Sequence, residues 1–237
     1  MDDFRSNFDG LASNTVFCCW TGATPMSSDR VVALWSVFNN VRCPTAFLNA
    51  NALRDWELPE SPFHPAFDYL SETHKADYLR CYLMHHFGGG YTDLKPTGKA
   101  WPEFFDRLRR SDALGLGYTE IGPHGVAPIQ GPFGDKLRAN HAKLIGLCAF
   151  IFRRRSPLTA AWYERTQRLL SEKLDALREH PARHPQDQFG VKFQDGSLSR
   201  YPIRWTELLG DIFHPVIYEF RDKILHDDIA PQFHSYR

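Results

Sequence analysis

The sequence predicts an α/β fold, a mainly parallel central sheet flanked by helices, forming a single domain over residues 1–237. Three observations carry that expectation. A β-branched and aromatic run at 15–20 is followed by a helical 3–4 pattern and a second strand-like run at 44–49, the spacing of a βαβ unit. Residues 144–152 are the most apolar run in the chain and read as a buried strand. Residues 71–96 read as a helix, a glycine turn and a short strand in immediate succession.

Taken in order, residues 1–13 are polar and expected to be loosely held. The first strand ends at Trp20, and Thr21-Gly22-Ala23-Thr24-Pro25 is its turn. Ligands of α/β sheets bind just beyond strand C-termini. Trp20, Thr21 and Gly22 are therefore either ligand contacts or a core tryptophan followed by an ordinary turn. Ser28 and Asp29 can cap a helix that runs through Val31, Val32, Leu34, Trp35 and Phe38. Residues 54–69, with Pro59, Pro62 and Pro65, make an irregular connector.

In the next helix Leu79, Tyr82, Leu83 and Phe87 share a buried face, while Asp77 and Arg80, three apart, are neighbours. Gly88, Gly89 and Gly90 stop it, because glycine takes the left-handed conformation a helix end needs. Residues 91–95 follow as a short strand closed by Pro96, with Asp93 and Lys95 on one face.

Residues 101–108 read as a short helix with Pro102 in its first turn, and 113–118 as a strand. Gly115 and Gly117 lack the third glycine of a dinucleotide fingerprint. Residues 119–136, with four glycines and three prolines, read as a long loop, a substrate lid or an acceptor wall. Arg153, Arg154 and Arg155 end the apolar strand, as a solvated strand end or as phosphate contacts. Pro157 opens a long packing helix through Leu158, Ala161, Trp162, Thr166, Leu169 and Leu170. In the polar turn at 184–190, Asp187 is a cap or a substrate contact. His226, Asp227, Asp228 and His234 in the tail have the chemistry to complete a metal shell.

Composition narrows the class. Lysine plus arginine equals aspartate plus glutamate, 28 each, so no net field points to nucleic acid or an anionic membrane. The five cysteines form an odd set with neither C-x-x-C nor zinc-ligand spacing, which favours a reducing cytoplasm. The first residues lack the basic flank and apolar core of a signal peptide, and no apolar run reaches the roughly 18 residues of a membrane span. Peripheral docking on a membrane stays open.

Ala76-Asp77-Tyr78-Leu79-Arg80 followed by Phe87-Gly88-Gly89-Gly90-Tyr91-Thr92-Asp93-Leu94-Lys95 resembles the sugar-binding-region glycosyltransferases with a DXD motif. That family includes initiating mannosyltransferases, glucosylating toxins and capsular polysaccharide enzymes. The resemblance implies a GT-A (Rossmann-like nucleotide-diphospho-sugar transferase) fold. It implies hexosyl transfer, with retention, from a UDP- or GDP-sugar to a glycan, polysaccharide or lipid-linked acceptor. It places Trp20, Thr21, Gly22, Asp77, Arg80, Tyr91 and Asp93 at the donor, and Asp93 and Lys95 at the reacting diphosphate.

Lys95 stands where the family carries the second aspartate of DXD. Those carboxylates hold Mn2+ or Mg2+, a hard cation that wants oxygen ligands, whereas lysine offers only donors. Three readings follow. Lys95 neutralises the diphosphate itself; or Asp93 still holds an ion with residues from elsewhere; or activity is lost, leaving a non-catalytic nucleotide-sugar or glycan-binding relative. A glycoside hydrolase, from another class, would need Asp77 and Asp93 about 5–10 Å apart across a sugar, and gives no reason for the glycine turn.

Overall fold

A computed structural model describes residues 7–22 and 25–234 of the chain. Its strands are β1 (Val16–Trp20), β2 (Thr45–Asn49), β3 (Gly89–Thr92), β4 (Gly115–Thr119), β5 (Ile145–Phe152) and β6 (Ile224–His226). The helices are α1 (Ser28–Asn40), α2 (Glu72–His86), α3 (Pro102–Arg109), α4 (Gly131–Ala139), α5 (Pro157–Glu179) and α6 (Gly210–Glu219). The sheet order is β2-β1-β3-β5-β4-β6. β1 runs parallel to β2 and β3, and β4 parallel to β6, while β5 is antiparallel to both β3 and β4. The sheet is mostly parallel, as expected, but mixed. The antiparallel strand is the most apolar one, and it lies in the middle.

Strand alternation divides the core into two layers. Phe17, Cys19, Phe150 and Phe152 face one cluster, with α2, α5 and α6; Val16, Cys18, Ala149 and Ile151 face the other, with Trp101, Phe105 and Val37. α2 packs between the sheet and α5. It is therefore buried on several sides, Tyr78, Cys81, Met84 and His86 included, and not along a single apolar stripe.

α1 departs from the reading of its pattern. The cap is Ser27, whose hydroxyl accepts from the Arg30 N–H, not Ser28. The small side chains of Ala33 and Val37 face the core, while Val31, Val32, Trp35 and Phe38 are exposed. The stretch at 119–136 also holds more order than a loop: α4 begins at Gly131, with Pro132 in its first turn. Residues 8–11 are tied down too, since the Gly10 N–H donates to the Phe87 carbonyl at 2.8 Å and Leu11 is buried.

The glycine turn is where the sequence dictates geometry most directly. Gly88 and Gly89 have φ of +64° and +84°, in the left-handed region. The Gly88 N–H closes α2 on the Leu83 carbonyl at 3.1 Å. A Cβ on Gly89 would lie 2.6 Å from the Thr15 carbonyl oxygen and 3.0 Å from the Cα of Gly10. Gly89→Ala is therefore expected to lower stability by about 3 kcal/mol, combining a left-handed penalty with a backbone clash. Urea denaturation checks this; a loss under about 1 kcal/mol would mean that the Thr15 segment gives way freely.

Candidate functional site

The turn delivers a charged cluster to the C-terminal edge of β3. Arg80, on α2, is anchored by donating from Nη1 to the Leu147 carbonyl at 2.8 Å, and its guanidinium lies 4.8 Å from the Tyr91 ring centroid. Its Nη2 lies 3.2 Å from Asp77 Oδ1 and 3.2 Å from Asp93 Oδ1. The other Asp93 oxygen, Oδ2, accepts from Lys95 Nζ at 2.6 Å, and Lys95 Nζ also reaches Cys148 Sγ at 3.0 Å. Asp77, Arg80, Asp93 and Lys95 thus form a chain of alternating charge.

The expected strand at 91–95 lies further towards the N-terminus: it runs Gly89–Thr92 and takes in two of the three glycines read as the turn. β3 stops at Thr92; the Asp93 N–H still donates to the Cys148 carbonyl, and the Lys95 N–H turns back on the Asp93 carbonyl at 2.8 Å. Asp93 and Lys95 come together through this tight turn, not through strand alternation.

Burial sets the protonation states. Asp77 is pushed up to about 7 by desolvation, which outweighs the pull of Arg80, while Asp93 adds repulsion. Asp93 is also desolvated, but Lys95 and Arg80 together hold it well below the usual carboxylate range. Lys95 is held above its ordinary value: burial disfavours its charge, and Asp93 more than compensates. Burial pushes the Cys148 thiol up to about 11, so it meets Lys95 as a neutral thiol.

The cluster lines a cleft of about 870 Å³, within the range of small-molecule sites. Trp20, Thr21, Gly22, Tyr91, Arg80, Asp93 and Lys95 border its inner part, and Asp77 its wider part, so the residues named from sequence converge on one place. Thr21 Oγ1 donates to the Glu72 carbonyl at 2.6 Å, tying the turn after β1 to the start of α2. Sequence reasoning missed Arg30, Glu72, Leu147, Cys148 and Trp205 on the walls. It also missed Phe233, whose ring lies 5.9 Å from Lys95 Nζ. Apart from Glu72, which opens α2 itself, each arrives from a distant segment and carried no local signal.

Other candidates resolve as structural. Asp187 is fully buried and accepts from the Arg183 N–H at 2.8 Å, so it caps its own turn and does not meet the cleft. Arg153 braces the carbonyls of Leu108, Ser111 and Ala113, and Arg154 that of Phe8. Asp227 pairs with Arg107, Asp228 with Lys99, and His226 Nδ1 lies 3.0 Å from Thr119 Oγ1. His234 is exposed.

A divalent ion does not fit Asp93 as the site is folded. Both carboxylate oxygens already face a cation, and among the described residues no group of three or more His, Cys, Asp or Glu side chains is arranged to hold a metal. An ion there would displace Arg80 and Lys95 while gaining few oxygen ligands.

No protein-family model, curated protein or solved structure matches the chain. No helix among the described residues is long and apolar enough to cross a membrane.

Proposed function

We propose that the chain is a glycosyltransferase of the GT-A type, moving a hexose from a UDP- or GDP-sugar to a glycan, polysaccharide or lipid-linked acceptor. One observation carries this reading: a buried ammonium and a buried guanidinium flank Asp93 at the ends of β1 and β3, within a sugar-nucleotide-sized cleft. In the transfer, the acceptor oxygen bonds to C1 of the donor sugar. The bond from C1 to the diphosphate oxygen breaks, its electron pair leaving with the nucleoside diphosphate, which takes up the acceptor's proton. The role of Lys95 is to neutralise charge that grows on the departing diphosphate, a contribution greatest in the transition state. Asp93 holds Lys95 in place, and Arg80 holds Asp93.

A thermal-shift panel of UDP, GDP and their hexose conjugates, each with Mn2+, Mg2+ or EDTA, tests the reading. The matching nucleotide at about a hundredfold excess over Kd stabilises by about 2.7 kcal/mol, a rise of roughly 5–10 °C for a chain of this size. The shift is expected to persist in EDTA, because Lys95 occupies the metal's place. Silence across the whole panel would sink the proposal. Lys95→Met is expected to reduce transfer by about 10²–10³-fold while folding normally, since Asp93 keeps Arg80 as its partner.

The saturation of Asp93 by two cations also favours a second reading, a relative that binds the nucleotide sugar without turning it over. A thermal shift without release of nucleoside diphosphate in the presence of acceptors would select it.

A further inference from the structure

The outer end of the cleft differs in chemistry from the inner end. The inner end is ionic, with Arg30, Arg80, Asp93 and Lys95. Beyond Gln186 and Trp205, which border both spaces, a second recess of about 460 Å³ opens, lined also by His184, Gln188 and Val191. Among the described residues its lining holds no carboxylate, lysine or arginine.

The segment 184–188 is built to present these side chains. Asp187 points inward, fully buried, and accepts from the Arg183 N–H. The His184 ring nitrogen Nδ1 accepts from the Gln186 N–H at 3.1 Å, and the Thr73 N–H donates to the Pro185 carbonyl at 3.1 Å. The backbone is thereby pinned to α2, with Gln186 and Gln188 on either side of the buried aspartate. Neither glutamine amide, nor the indole N–H of Trp205, has a hydrogen-bond partner among the described residues, and Trp205 is 45% exposed. A large aromatic face at a cleft mouth, beside two planar amides that make no bond within the described protein and are open to solvent, matches a ligand with an apolar C–H face and a rim of hydroxyls. An amide donates and accepts at once, as vicinal hydroxyls require, and indole offers flat contact area with a polar handle.

We infer that this recess is a saccharide subsite, in which Trp205 stacks on a neutral sugar ring and Gln186 and Gln188 bind its hydroxyls. Its role as the acceptor subsite rests on the transfer reading; its binding of sugar does not. A neutral acceptor ring is favoured at this position, because the described lining offers neither lysine nor arginine.

The test is saturation-transfer difference NMR on the full chain with neutral trisaccharides of glucose, galactose and mannose, each with and without UDP or GDP. The ring C–H protons of at least one trisaccharide are expected to receive saturation. Trp205→Ala is expected to weaken that binding about tenfold, the equivalent of one aromatic contact. Trp205→Phe should restore much of it, and Gln186→Ala combined with Gln188→Ala should weaken it as well. Nucleotide binding is expected to persist in each variant, because the ionic end of the cleft around Asp93 and Lys95 is untouched, and the exposure of Trp205 lets the variants fold. The inference is overturned if no trisaccharide receives saturation, or if the affinity in Trp205→Ala equals that of the parent. It is equally overturned if Trp205→Ala abolishes nucleotide binding instead, which would make the indole a base-stacking group. Sugar binding without nucleotide binding would refute the transfer reading and leave the subsite standing.

Discussion

Asp93→Ala is expected to lower the melting temperature by about 10 °C, more than any other single change in the cleft. The side chains of Arg80 and Lys95 are only 8% and 10% exposed, and Asp93 is the carboxylate placed between them. Removing it leaves two buried cations facing one another, with Asp77 bound only to Arg80. Breaking a buried pair from one side costs about 3–5 kcal/mol, because the remaining charge stays desolvated. At roughly 2–4 °C per kcal/mol for a chain of this length, the shift is large enough for any thermal assay. Lys95→Met in the Asp93→Ala background should recover part of the loss, since it removes one orphaned cation. The double-mutant cycle then gives the coupling directly. A melting temperature within about 2 °C of the parent would mean that water reaches these groups and that the charged chain contributes little.

Acidification is expected to destabilise the fold well before ordinary carboxylates titrate. His74 and His85 are lowered to about 4 and His86 to about 3, in each case chiefly by burial, with Arg155 adding repulsion at His85 and His86. A histidine depressed in the folded state contributes stability that is complete above its unfolded value of about 6.5 and is lost as pH falls towards the folded value. Asp77 acts in the opposite direction: raised to about 7, it gains relative stability as pH falls from 7 towards 4. These three histidines, joined by His64 and His226, which burial also lowers, oppose Asp77, so the net sign is destabilising. The slope approaches about 2–3 kcal/mol per pH unit near pH 5, at roughly 1.4 kcal/mol per group. Denaturant midpoints at pH 7, 6 and 5 measure it. A flat or rising profile would show that the histidines are neutral in both states or that their surroundings hydrate on protonation.

Much of the cleft was legible because its parts are close in sequence. Helical spacing placed Asp77 beside Arg80, and consecutive glycines fixed where α2 must stop. From there Asp93 and Lys95 could only lie at the edge of the next strand. What escaped depends on contacts between distant segments. The direction of β5 is set by the path of the chain through α4, which no residue in the strand itself records. Gly131, Pro132 and Gly134 are breakers in isolation, yet they open a helix once Gly134 packs against the Ile129 carbonyl. The apolar stripe of α1 gave the helix correctly but not its orientation, because the pattern cannot say which of two apolar faces the sheet will accept. Cys148 reaches Lys95 across 53 residues.

The central position of β5 also bears on how the molecule assembles. The glycine turn leans on Phe152 and Arg154, and the Arg155 N–H donates to the His85 carbonyl. Residues 89–92 pair directly with 149–152. Emerging from a ribosome, the first half of the chain thus exposes one flank of β3 until the 145–155 segment is made. Long loop closure of this kind slows folding and leaves strand edges open meanwhile. Truncation ahead of residue 145 should yield an aggregating fragment, and not a smaller nucleotide binder. The charged chain around Asp93, whose partners Leu147 and Cys148 arrive late, belongs among the last features to form during synthesis.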